Sequence, residues 1–205
     1  MNIDVRSNIA EVTKNLTKVQ KDQLPFATSL AINNVATEVA YAVTKQMQYD
    51  LDRPTPFTLK AFMSGNRFNG KRATKRSLYA TVEAKPIQND YLIYQVEGGM
   101  RLPKKRTIAV PTKNARLNRY GNVSNRKRGL VRNSKQFVGE VKGIQGIWER
   151  TGGKRSPGLK LIHGFEESVT YRKRFNPYAV ADNVVRRKFG KIFTHAMRYA
   201  TASAR

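Results

Sequence analysis

The run Ala31-Ile32-Asn33-Asn34-Val35-Ala36-Thr37-Glu38-Val39-Ala40-Tyr41-Ala42-Val43-Thr44-Lys45-Gln46-Met47 sets Ala31, Val35, Val39, Val43 and Met47 at strict four-residue steps. Apolar side chains at that spacing share one face of an α-helix, so a long packed helix is expected here. Asn33, Asn34 and Thr37 fall off the stripe. Toward the N-terminus, Ile9, Val12, Leu16 and Val19 recur at three- and four-residue steps and predict an earlier helix, capped by Ser7 or starting near Asp4. Leu24-Pro25 is expected to separate the two. Arg53-Pro54-Thr55-Pro56 ends the helical region, because each proline restricts the residue before it to extended geometry. Both helices read as packing elements rather than carriers of an active site.

The period then changes. Residues 77–84 (Ser-Leu-Tyr-Ala-Thr-Val-Glu-Ala) alternate Leu78, Ala80 and Val82 with Tyr79, Thr81 and Glu83, as a strand with one buried face does. Residues 91–96 fit either a helical turn or a strand, and Gly98-Gly99 stops them. Residues 107–110 form a short apolar run ending at Pro111. Residues 112–135 lack periodicity and are rich in Asn, Arg, Lys and Gly, which predicts a long loop; a connection of that length inside a domain tends to be functional or disordered. Further extended pieces are expected at 136–141, 146–150 and 159–162, with another at 168–171. Asn176-Pro177 then signals a helix start, Asn as N-cap and Pro at the first helical position. Val185, Phe189, Ile192, Phe193, Ala196 and Ala200 form its apolar stripe, with Arg186, Arg187, Lys188, Lys191 and Arg198 around the rest. Helices first, strands in the middle and a closing helix predict an α+β fold: two N-terminal helices, a central mostly antiparallel sheet with long basic loops, and a C-terminal helix. One domain over 1–205 is expected, with 98–139 a basic, loop-rich insertion.

Charge narrows the function. Among 205 residues, Lys and Arg number 39 against 14 Asp and Glu, a formal net charge of +25 and a pI near 10.7. Such a surplus favours polyanionic partners and argues against a metabolic enzyme with a neutral surface. It is unevenly spread. Residues 1–52 are near neutral, with five basic and six acidic side chains; 53–82 hold seven basic and no acidic, and 98–139 hold twelve basic and no acidic. Residues 172–205 add nine basic against Asp182 alone. Like charges disfavour a compact state unless something neutralises them, so a polyanion partner is the expectation for the two acid-free segments together. No cysteine is present, which removes disulfides, Cys-ligated zinc and thiol catalysis. No stretch approaches the length of a membrane-spanning helix, and residues 1–6 lack a signal peptide's apolar run. Synthesis in a cytoplasm, with no membrane partner, is the expectation.

Motifs for chemistry fail on inspection. Glu166 and Glu167 are adjacent and in extended backbone point to opposite faces. Asp50 and Asp52 sit where a helix gives way to prolines and read as surface and turn residues. His163 and His195 are the only histidines, and no spacing suggests a Ser/His/Asp set. Thr151-Gly152-Gly153-Lys154-Arg155-Ser156 resembles the tail of a phosphate-binding loop. However, Trp148 stands where its first glycine belongs, and Arg155 stands where Ser or Thr would hold magnesium. No enzyme, metal or cofactor is expected. Zinc-finger and RRM patterns are also missing, and Tyr120 is the lone aromatic of 98–136. Backbone electrostatics therefore suit this chain better than base stacking.

Against this background Ala31-Ile32-Asn33-Asn34-Val35-Ala36 resembles a helix of the phage minor tail protein Z family. Tyr91-Leu92-Ile93-Tyr94-Gln95-Val96-Glu97-Gly98-Gly99-Met100-Arg101 with the following Pro103-Lys104-Lys105, and Gly146-Ile147-Trp148-Glu149-Arg150, are similar to further pieces of that family, and residues 169–175 lead into its terminal helix. The likeness spans most of the chain in short pieces and lies in their order and spacing; its motif positions are Gln95, Glu97, Gly98, Gly99, Arg101, Gly146, Trp148 and Arg150. The basic stretch 112–135 departs from it. The resemblance implies a virion component at the head-proximal end of a long phage tail, completing the tail and joining it to the neck. It implies a ring of identical subunits, hexameric in the family, that meets tail-terminator or tail-tube proteins and the head–tail connector, with the genome passing through. No catalytic residue transfers with it. Lys104, Lys105, Arg106, Arg116, Arg119, Arg126, Lys127 and Arg128 are the expected contacts with duplex DNA in the channel or with acidic surfaces of neighbouring proteins. The other reading is a free, sequence-non-specific nucleic-acid-binding protein.

Overall fold

The computed structural model describes residues 2–5, 17–65, 70–104, 106–123, 131, 133–153 and 155–204. The chain forms two compact units, Met1–Val96 together with Lys173–Arg205, and Glu97–Arg172. The basic segment 98–139 falls wholly within the second.

The first unit is built on α1 (Lys18–Asp50) and α4 (Pro177–Ala202). The four-residue stripe of α1 lies in the core as expected: Ala31, Val35, Val39, Val43 and Met47 are fully buried. Pro25 does not separate two helices; it lies inside α1. Its ring removes the donor that would reach the Lys21 carbonyl, a cost of about 3 kcal/mol in a helix interior. Burial offsets that cost, because Leu24, Ala27 and Thr28 sit on the packed face around it and the Thr28 Oγ1 donates to the Leu24 carbonyl at 2.8 Å. Most of the expected first helix, with Ser7, Ile9, Val12 and Leu16, lies outside the described residues. A helix start near Asp4 is overturned, since Asp4 belongs to strand β1 (Asn2–Val5) and pairs with Thr81.

In α4 the Asn176 side chain accepts from the Ala179 N–H at 3.1 Å and Pro177 opens the first turn, as the sequence predicts. Ala27 and Ala31 of α1 pack with Ala196 and Ala200 of α4, and such small side chains let helix axes approach closely. A short helix α2 (Pro56–Leu59) leads to β2 (Phe62–Ser64), and β3 (Ala80–Ala84) runs between β1 and β2, antiparallel to both. The alternation expected of β3 is incomplete: Thr81 is buried alongside Ala80 and Val82. Lys71 lies beside it, with the Thr81 N–H donating to the Lys71 carbonyl and the Lys71 N–H to Thr81 Oγ1, both at 2.9 Å. Residues 91–96 resolve as the end of helix α3 (Pro86–Val96), whose Gln88, Leu92 and Val96 are buried at four-residue steps.

The described residues of the second unit form strands and turns. β4 (Gly99–Arg101) pairs with β9 (Val169–Tyr171). β5 (Ile108–Pro111), β6 (Gln136–Val141), β7 (Ile144–Thr151) and β8 (Gly158–Glu166) form an antiparallel sheet in the order β5-β8-β7-β6. Lys142 and Gly143, both at positive φ (53° and 77°), make the two-residue turn between β6 and β7, the backbone twist that a tight hairpin needs. Among the described residues the one expected central sheet is therefore three separate antiparallel sheets. Alternation marks a segment as a strand but carries no label for its partner.

Candidate functional site

Within the expected loop over 112–135, residues 112–123 are held by a set of hydrogen bonds. Thr112 donates through N–H to the Ile162 carbonyl (2.9 Å) and through Oγ1 to the Leu161 carbonyl (2.6 Å), which Asn114 Nδ2 also reaches (2.9 Å). Leu117 then bridges Val123, closing a small hairpin around Asn118. The Asn118 Oδ1 accepts from the N–H groups of Tyr120 and Asn122 at 2.9 and 3.1 Å, and Gly121 takes φ 75°. Asn side chains stabilise such turns because they bond their own backbone two residues on. The composition read as loop is thus turn chemistry.

That hairpin displays two predicted contacts. Arg116 and Arg119 are exposed, and Arg119 is held by its neighbour: its guanidinium stands 4.7 Å from the Tyr120 ring centre and donates to the Tyr120 hydroxyl at 2.6 Å. Lys104 and Arg106 are exposed on the connection between β4 and β5, next to Leu102 and Met100, which are 62% and 60% exposed. Lys105, Arg126, Lys127 and Arg128 lie outside the described residues.

The motif positions divide by role. The Gln95 carbonyl, near the end of α3, accepts from the N–H groups of Arg174 and Phe175 and so anchors the chain entering α4. Glu97 is an exposed turn residue, Gly98 takes φ 73° just before β4, and Gly99 opens β4 at φ 100°, with Arg101 pairing with Val169. Gly146 sits hard against β8: a Cβ there would stand 2.2 Å from the His163 carbonyl oxygen. Trp148 and Arg150 share one sheet face with Phe137, Val141 and Leu159 by register. Together with Lys142, Trp148, Arg150 and Leu159 border an open pocket of about 740 Å³. Arg150 stacks over Phe137 at 4.4 Å. An apolar floor with cations at its edge suits an apolar group next to an anion. Phe137 and Lys142 were missed as site residues because both belong to the β6–β7 hairpin, which only register brings beside Trp148.

On the other face, Glu149 accepts from Lys160 Nζ at 2.9 Å and Gln136 Nε2 at 2.6 Å. The Lys160 bond first, then that from Gln136, holds the Glu149 carboxyl below the ordinary glutamate range. A depressed carboxyl contributes stability above its unfolded pKa of about 4.3 and loses it as pH falls through the lower folded value. With Lys160 41% exposed, screening limits the contribution to about 0.5–1 kcal/mol. Glu149→Gln is therefore expected to lower Tm at neutral pH, with the gap to wild type closing on acidification below the glutamate range; a gap that stays constant across the pH series of thermal melts rules this out.

Several other acids are paired. Asp50 accepts from Gln46 (2.8 Å), Asp52 is paired with Arg53 through two bonds of 3.0 Å, and Glu38 is paired with Lys188. Glu166 and Glu167 are exposed at the end of β8, His163 is buried in β8, and His195 borders a shallow groove of about 410 Å³ with Asn34, Thr37 and Lys191. Of the 151–156 stretch, Thr151 ends β7 and Gly152, Gly153, Arg155 and Ser156 stand between β7 and β8, while Lys154 lies outside the described residues. Among the described residues no three of His, Asp or Glu gather to hold a metal ion, and no helix is long and apolar enough to cross a membrane. Comparison with protein families, curated proteins and solved structures yields no match to this chain.

Proposed function

We propose that this chain is a structural virion subunit at the head-proximal end of a long phage tail, completing the tail and joining it to the neck. The ordered resemblance of residues 31–36, 91–101 and 146–150 to minor tail protein Z carries this reading. Exposed cations at Lys104, Arg106, Arg116 and Arg119 support it physically, since they suit a polyanion or an acidic neighbour. Met100 and Leu102, exposed beside the first pair, add apolar area of the kind that subunit contacts use. The subunits would form a ring, with tail-terminator or tail-tube proteins on one side, the connector on the other and duplex DNA passing through.

Immunogold labelling of intact particles with antibody against this chain tests the reading. Label at the junction of tail and neck is expected, and particles that carry no label overturn it. A free, sequence-non-specific nucleic-acid-binding protein is the second reading, favoured by cations such as Arg119 standing in solvent in the single chain. Purified protein that stays monomeric at high concentration, binds duplex DNA and is missing from particles would select it.

A further inference from the structure

We infer that residues 70–79 of the first unit form a preorganised binding surface for the phosphate backbone of duplex DNA, held in shape by Asn33. Lys71, Arg72, Lys75 and Arg76 are all exposed, and they flank Ala73, which is 6% exposed and turned inward. Asn33 clamps Ala73 through both ends of its amide: Nδ2 donates to the Ala73 carbonyl and Oδ1 accepts from the Ala73 N–H, each at 2.9 Å. Thr81 fixes the start of the segment through the pair of bonds to Lys71. Ser77 closes its far end: its carbonyl accepts from the Thr74 N–H at 2.8 Å and its N–H donates to Thr74 Oγ1 at 3.0 Å. Two of the cations are also positioned by rings, Lys75 5.0 Å from the centre of Phe26 and Lys71 5.9 Å from that of Tyr79.

Fixing four like charges in so short a stretch is unfavourable in the free protein. The sequence offers no acid from 53 to 82 to relieve it. The segment 71–76 exposes no aromatic or large aliphatic anchor of the type that dominates protein–protein contacts. Duplex DNA, with one charge per about 1.7 Å of axis, needs only positioned cations, and binding gains from counterion release. None of these residues belongs to the cationic turns of the second unit. The surface would act in a tail component and in a free DNA-binding protein alike.

The test is fluorescence anisotropy of the full chain with a labelled duplex of arbitrary sequence, over a series of NaCl concentrations. Combined Lys71→Gln, Arg72→Gln, Lys75→Gln and Arg76→Gln is expected to reduce the log–log salt slope by about 3–4, near 0.9 per lost phosphate contact. The same charge removed from α4 by Arg186→Gln, Arg187→Gln, Lys191→Gln and Arg198→Gln should change the slope much less. Asn33→Ala keeps every cation yet should weaken binding roughly fivefold, because the loop must then be ordered on binding. Thr81→Val, which keeps the backbone bond to the Lys71 carbonyl but removes the hydroxyl that accepts from the Lys71 N–H, should weaken binding in the same direction. Equal slope losses from both quadruple variants overturn the inference. So does wild-type affinity in both clamp variants, or displacement of the duplex by polyglutamate at equal charge, which would mark an acidic protein as the partner. Lack of the chain in virions would leave these binding results intact, so failure of the tail reading is told apart from failure of this one.

Discussion

Gly146→Val is expected to unfold the strand-and-turn unit. A Cβ at Gly146 would lie 2.2 Å from the His163 carbonyl oxygen and 2.7 Å from Leu161 Cδ1. The first of these is backbone, held in the β7–β8 ladder beside the irregularity at Ile147 and Trp148, so it has no rotamer by which to yield. Overpacking a core usually costs about 1–3 kcal/mol when side chains can shift. A clash with paired backbone costs more, against a net stability of only about 5–15 kcal/mol for a typical domain. Trp148, the single tryptophan, is 8% exposed two residues away and reports the event directly. The variant should show the red-shifted emission of a solvated indole under conditions where wild type does not. Gly139→Ala is the control. It lies opposite Gly146 in β6, but its Cβ would meet only the Phe137 ring at 3.4 Å, and it should leave Trp148 emission unchanged. A Gly146→Val protein with wild-type emission and a wild-type urea midpoint would show that β7 and β8 do not approach so closely.

Val39→Asp is expected to collapse the helical unit. Val39 is fully buried in a cluster with Val35, Val43, Ile32 and Met47. A carboxyl there loses its water and finds no donor among these aliphatic neighbours, a cost of several kcal/mol whether it stays charged or takes up a proton. Lost packing adds to that. Far-UV circular dichroism should show most of the helical signal gone, or the protein should fail to stay in solution. Tyr41→Asp, on the same helix but 69% exposed, introduces the same group with nearly the same loss of helix propensity, and is expected to shift stability by no more than about 0.5 kcal/mol. If the two variants melt together, the four-residue stripe is not the core of this unit.

Features that depend on neighbours along the chain were legible without coordinates. The stripe from Ala31 to Met47, the Asn176 cap with Pro177, and strands at 136–141, 146–150 and 159–162 each follow from periodicity or cap chemistry within about ten residues. So does the display of Arg116 and Arg119, since a segment rich in Asn, Gly and charge has little to bury. The same local rules failed at Pro25, where tertiary burial of Leu24, Ala27 and Thr28 outweighed a broken hydrogen bond. The loop expected at residues 112–123 is present, and Asn118 and Gly121 supply the turn within it.

What the tertiary structure alone decided is every relation between distant residues. It divided the chain at 97 and 172, replaced one expected sheet by three among the described residues, and set Arg150 over Phe137 beside Trp148. It also brought Asn33, an off-stripe helix residue, against Ala73 forty positions later, turning a run of cations into a held surface. A helix or turn is stabilised by contacts a few residues apart, whose pattern the residue order spells out. Partners separated by forty residues meet only after the backbone between them has closed, and residue order does not record which of many closures buries the most and strains the least.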